Sequence, residues 1–257
     1  MNFIPLIKSL AIIYLLLCVD VYVFQRTLIY HPAEESDHEF EVIKLAHQDN
    51  ILEVLVTHQA TDNVILYFGG NAENVAYAAL EFKHHFPDHR TYLMKYRGYA
   101  GAQGSPSEQA LFADALALFD HLRLNSEVKI SVIGRSLGSG VATYLATQRP
   151  IDKLVLITPF DSIRHVAQNM LPIFPVNWLL KDHYDSKSRA HEIVSPTLVI
   201  TANNDQVIPR IHTESLIQSI PPIHLTTTYF NAGHNDLDLI PEYFSSIKSF
   251  FMCQEQC

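Results

Sequence analysis

From residue 64 onward, short uninterrupted apolar runs alternate with stretches whose apolar residues recur every three or four positions. Residues 64–68, 92–94 and 154–157 are such runs, and residues 128–133, 197–201 and 225–230 are further strand-like stretches broken by a few polar residues. Ala72, Val75, Ala76, Ala79 and Leu80 share one face of a helix between the first two. Leu111, Phe112, Ala115, Leu118, Phe119 and Leu122 form the stripe of a second helix. Ile240, Tyr243, Phe244, Ile247, Phe250 and Phe251 form that of a last one. Strands apolar at every position are covered on both faces, so the pattern predicts an α/β fold: a mostly parallel sheet between two layers of helices. Ahead of it, residues 40–47 and 51–58 flank the turn-prone Gln48-Asp49-Asn50 and predict an antiparallel hairpin at one sheet edge. Ser105, Pro106 and Glu108 read as N-cap, first helical position and capping-box acid of the second helix.

Composition narrows what such a fold can do. With 257 residues and 48% hydrophobic content, the chain can bury one substantial core. Charged residues make up 18% and the formal net charge is -9, which argues against a nucleic-acid partner. Three cysteines are too few for a disulfide scaffold. Cys253 and Cys257 read as free thiols, or as a local disulfide if that end faces an oxidising compartment. The cluster from Lys83 to His89 lacks the i, i+4 ligand spacing with a carboxylate base, so it reads as a solvated helix end and no metal site is expected.

The N-terminus carries a second signal. Residues 10–19 are uninterrupted apolar, Asp20 breaks the run, and Val21 to Phe24 resume it before Arg26. As a helix, the stretch between Lys8 and Arg26 covers roughly 25 Å, the short end of a membrane span. A cleaved signal peptide would need small residues where Leu17, Cys18, Val19 and Asp20 stand. A lipoprotein reading of Cys18 fails on Leu17. A buried helix of a soluble domain is the remaining alternative. The composition favours an uncleaved single-pass anchor over residues 1–30, followed by one domain over residues 31–257. Lys8 and the N-terminal amine against Arg26 favour the N-terminus inside, which places the domain on the non-cytoplasmic side.

Gly134-Arg135-Ser136-Leu137-Gly138 follows an apolar strand and opens a helix, the setting of a nucleophile elbow. Side chains at 134 or 138 would clash in so tight a turn, and Gly140 keeps the helix start slim against the sheet. A serine hydroxyl needs a base, and the base needs an orienting carboxylate. Of fourteen histidines, His234 alone has the right place, after the last strand and before the last helix. Asp205 follows the penultimate strand; Asp161 and Asp185 are weaker rivals, and Asp236 and Asp238 read as first-turn acids of the last helix. An oxyanion needs donors. The backbone N–H of Leu137 is one candidate. The N–H of Asn71, after Gly69-Gly70, is the other, and Asn71 is also a candidate N-cap of the following helix.

These segments resemble a known group. Phe24-Gln25-Arg26-Thr27-Leu28-Ile29-Tyr30-His31-Pro32 behind an apolar N-terminus is similar to the small membrane-anchored α/β-hydrolases, including the protein-depalmitoylating and cell-polarity branch and its bacterial relatives. Tyr67 to Asn74, Tyr96-Arg97-Gly98-Tyr99, Gly104 to Glu108 and Gly134 to Gly140 match in the same order, so the resemblance spans essentially the whole chain. Many members carry His where this chain has Gly69. The resemblance implies the α/β-hydrolase fold, hydrolysis of carboxyl esters or thioesters, and no metal or organic cofactor.

Residues 160–190 are richer in apolar side chains than a plain connection and stand where this fold inserts a cap. They either line an acyl pocket or pack on the sheet edge. Anchor and apolar cap together point to a small lipid-like acyl substrate. A serine peptidase and a non-catalytic, membrane-tethered binding protein are the alternatives.

Overall fold

In the computed structural model, residues 3–57, 61–124 and 128–253 are described. The chain opens with α1 (Ile4–Ile29), then β1 (Glu41–His47), β2 (Asn50–Val56), β3 (Asn63–Phe68), α2 (Val75–His85) and β4 (Arg90–Met94). Next come α3 (Glu108–Arg123), β5 (Lys129–Arg135), α4 (Leu137–Gln148) and β6 (Leu154–Ile157). Three short helices follow: α5 (Ile163–Met170), α6 (Val176–Leu179) and α7 (Ser186–Arg189). The chain ends with β7 (Thr197–Ala202), α8 (Arg210–Ile217), β8 (Leu225–Phe230) and α9 (Pro241–Met252).

The strands form a single sheet in the order β1-β2-β4-β3-β5-β6-β7-β8. The hairpin makes the edge antiparallel, β1 on β2 and β2 on β4, and every later pairing is parallel. Successive strand residues feed opposite layers. Leu66, Phe68 and Val132 pack with α3 and α4, while Ile65, Tyr67, Ile133 and Val155 pack with α2 and α9. Each such fully buried aliphatic side chain contributes about 1.5–3 kcal/mol. Expected and observed strand limits agree within two residues, and His58, the expected end of β2, lies outside the described residues. So does Cys257, and with it the question of a bond to Cys253.

Three helix starts differ from expectation. α2 begins at Val75, where the Asn74 side chain accepts from the Ala76 N–H. Ala72 stays outside with φ 60°, and Leu80 is exposed. The buried face is Val75, Ala76, Ala79 and Phe82. α3 is capped by Ser107, two residues later than Ser105, because the extended backbone of Ser107 lets its hydroxyl accept from Ala110 N–H. Glu108 is then the first helical residue, and its carboxylate accepts from His183 N–H instead of closing a capping box. Asp236 and Asp238 belong to a separate 3₁₀ turn around Leu237–Leu239, so Glu242 is the first-turn acid of α9.

The N-terminal helix is longer than the apolar run implies. Its 26 residues cover about 39 Å, and both Lys8 and Arg26 lie inside it. Among the described residues it is the one helix long and apolar enough to cross a membrane, and nearly all of its side chains are exposed. From Tyr14 to Arg26 it rests on residues 173–182. Gln25 donates to the Leu179 carbonyl and accepts from Lys181 N–H, and Arg26 pairs with Asp182 at 3.0 Å.

Candidate active site

β5 ends and α4 begins around a single residue, Ser136, whose backbone is held at φ 48° and ψ -115°. A non-glycine residue there is strained, and close packing enforces it. A Cβ at Gly138 would collide with the Phe68 and Gly69 carbonyls at the end of β3. Gly140 differs from the expected contact with the sheet: a Cβ there would meet Tyr184 at 2.8 Å, so its role is to admit the segment after α6. The turn aims Ser136 Oγ across the carboxyl ends of the strands.

His234 comes from the loop between β8 and α9 and Asp205 from the loop after β7. Ser136 Oγ lies 2.9 Å from His234 Nε2, and His234 Nδ1 lies 2.7 Å from Asp205 Oδ2. Asp205 Oδ1 accepts from the Val207 and Ile208 N–H groups, both at 2.8 Å, which fixes the carboxylate plane. The two loops are laced together by Asn203 N–H to Phe230 O, Asn204 N–H to Ala232 O, and the Asn204 side chain to Asn231. With Nδ1–H given to Asp205, Nε2 is free to accept the serine proton. All three side chains are largely buried. The rivals are engaged elsewhere. Asp161 binds His165 at 2.8 Å and His212 at 2.9 Å, and Asp185 caps α7.

The loop after β3 lies directly beside Ser136. A Cβ on Gly70 would stand 3.7 Å from the serine Cβ. Glu73 holds that loop: Oε2 accepts from Gly70 N–H at 2.7 Å and faces Arg135 at 3.4 Å, while Oε1 accepts from Tyr67 at 2.7 Å. Burial, with the Glu73 charge beside it, pushes the Tyr67 phenol well above its ordinary pKa, so it stays a donor. The Tyr96 hydroxyl donates to Gly69 O at 2.7 Å. Glu73 and Val75 fill the space in which a side chain at 69 would stand.

Asn71 does not cap α2; Asn74 does. The Asn71 side chain instead donates to Ile29 O and accepts from His31 N–H and the Tyr99 hydroxyl, all within 2.9 Å. It therefore ties the end of α1 to the loop. Among the described residues, neither the Asn71 nor the Leu137 backbone N–H has a hydrogen-bond acceptor. Both donors are therefore unspent. Glu73, Arg135, Tyr67 and Tyr99 were not marked as site residues by the sequence. Glu73 reaches Tyr67 and Arg135, and Tyr99 reaches Asn71, only once β3, β5 and the loop after β4 are assembled.

No family model matches the chain. It is 32% identical over 251 residues to the uncharacterised protein Rv2307c of Mycobacterium tuberculosis, covering 92% of this chain and 89% of that one. It is 33% identical over 158 residues to an α/β-hydrolase domain-containing protein of Caenorhabditis elegans, covering 60% of this chain and 46% of that one. A lysophosphatidylserine lipase of Xenopus tropicalis is 30% identical over 215 residues, 70% of this chain and 53% of that one. Among solved structures, the Pyrococcus furiosus esterase Pf2001 superposes with a TM-score of 0.71 over 86% of this chain and 98% of that one, at 15% identity. Sequence relatives and sheet order agree: the chain belongs to the α/β-hydrolase family.

Proposed function

We propose that this protein is a membrane-associated serine hydrolase that cleaves carboxyl esters or thioesters of lipid-like acyl groups. One observation carries the reading: a strained, glycine-packed serine 2.9 Å from an imidazole that is itself 2.7 Å from a buried carboxylate. Ser136 Oγ attacks the acyl carbonyl while His234 Nε2 takes its proton. Asp205 holds the imidazole and stabilises its charged form. The Leu137 and Asn71 amides receive the oxyanion. When the intermediate collapses, His234 protonates the departing alcohol or thiol, and an acyl group remains on Ser136. Water, deprotonated by the same imidazole, then releases the acid. No step calls for a metal or an organic cofactor.

The lipid-like substrate class is supported by the apolar N-terminal helix resting on the cap, and by the name of the frog relative. A panel of p-nitrophenyl esters and acyl thioesters of increasing chain length tests it. Turnover is expected to rise from short to medium or long chains. Preference for short peptide substrates would replace the reading with a peptidase. Absence of turnover on every substrate would favour a non-catalytic binding protein.

A further inference from the structure

Residues 166–180 contain no Asp, Glu, Lys or Arg. Their apolar side chains face two ways. Val166 and Val176 pack into the domain core, whereas Met170, Ile173 and Trp178 are 71%, 70% and 87% exposed. This outward face is continuous with α1. Tyr14 donates its hydroxyl to Ile173 O at 2.7 Å and stacks on Phe174, with ring centroids 6.0 Å apart. Higher up, Gln25 holds Leu179 and Lys181, Lys181 lies over the Tyr22 ring at 4.2 Å, and Arg26 pairs with Asp182. The segment thus runs down the side of the helix, from its charged end to the middle of its apolar run.

We propose that the 170–180 segment is immersed in the acyl chains of the same leaflet that α1 enters, as a second membrane contact beside the helix. The occupant of this face is phospholipid hydrocarbon. The inference rests on the reading that α1 lies in a bilayer. Two features support immersion over simple exposure to water. First, the polar groups are layered. Arg26 with Asp182, and Lys181 over Tyr22, form a charged collar towards the end of α1, and Tyr14 lies eight to twelve residues before it, roughly 12–18 Å along the helix. The Ile173–Phe174 turn at that level lies on the apolar side of the collar, where a hydrocarbon core ~30 Å thick would surround it, with Trp178 nearer the headgroups.

Second, irregular backbone in hydrocarbon needs its carbonyls satisfied, and here side chains do so. Gln168 donates to Leu171 O and Phe174 O, Tyr14 to Ile173 O, Gln25 to Leu179 O, and His183 faces Leu180 O at 2.8 Å. A surface loop in water has no need of such partners. The segment also joins the domain near Tyr184, which packs against Gly140 of α4. Acyl chains around it would therefore lie next to the body that carries Ser136.

Trp178 is the chain's only tryptophan, so its fluorescence reports on this segment alone. The full chain is reconstituted in phosphatidylcholine vesicles, with and without lipid brominated in the acyl chains. Blue-shifted emission, most of it lost to bromolipid and little of it to aqueous iodide, is expected. Ile173→Asp, at an exposed position, is expected to reduce the bromolipid quenching while leaving the fold intact. Emission quenched by iodide and not by bromolipid, from protein that resists carbonate extraction, overturns the proposal and leaves the anchor standing. Release of the protein by carbonate overturns the anchor, and this proposal with it.

Discussion

Ester turnover by the Ser136→Ala variant is expected to fall roughly 10⁶-fold, and that of His234→Ala by a similar factor. The double variant is expected to be no worse than either single one, because nucleophile and base act as a unit. Asp205→Ala should cost less, roughly 10⁴-fold, since the imidazole can still find its place part of the time. The thermal transition of Ser136→Ala should stay near that of the parent, because alanine fills the same space and the Gly138 contact still sets the turn. Residual activity is expected if the Leu137 and Asn71 amides hold the oxyanion as proposed, because the substitutions leave both in place. Steady-state kinetics on a p-nitrophenyl ester read all four variants. A Ser136→Ala enzyme retaining a tenth of parental activity would remove Ser136 from the chemistry.

The largest stability effect is expected at Asp114. Its carboxylate takes two parallel hydrogen bonds from Arg97, Nε and Nη2 both at 2.8 Å, and the two side chains are 1% and 9% exposed. The hydrogen bonds to Asp114 raise the Arg97 pKa further, so the guanidinium stays charged. Asp114→Ala would leave that buried charge facing only the exposed Asp49 at 3.7 Å, at a cost of about 3–5 kcal/mol. For a chain of this size the melting temperature should drop by roughly 10 °C. Asp120 and Arg149 supply the control. They form the same two-pronged contact at 2.7 and 2.8 Å, but Asp120 is half exposed. Asp120→Ala should therefore cost at most about 1 kcal/mol. Melts of both variants in one detergent compare them, and equal losses would show that burial does not set the difference.

The sheet was legible because its central strands are mostly apolar and are separated by helices with clear stripes. The order of Ser136, Asp205 and His234 along the chain was legible for a related reason. Each sits just past a recognisable strand, and strand order in a parallel sheet brings those ends together. Local caps were less so. Ser105 and Ser107 offer the same hydroxyl, and only the extended backbone at 107 decides between them. Asn71 and Asn74 pose the same ambiguity, decided by the pull of Ile29, His31 and Tyr99 on the first. What pattern could not reveal is contact across long sequence separations. Glu73 meeting Arg135, and Tyr14 meeting Ile173, have no periodicity to announce them.

The account centres on Ser136 as the residue that carries the acyl group. Reaction with a fluorophosphonate, followed by digestion and mass spectrometry, tests this most directly. The phosphonyl adduct is expected on the peptide containing Gly134-Arg135-Ser136-Leu137-Gly138, at Ser136, with loss of ester turnover in proportion to labelling. An adduct confined to another residue, or turnover that survives full labelling of Ser136, would contradict it.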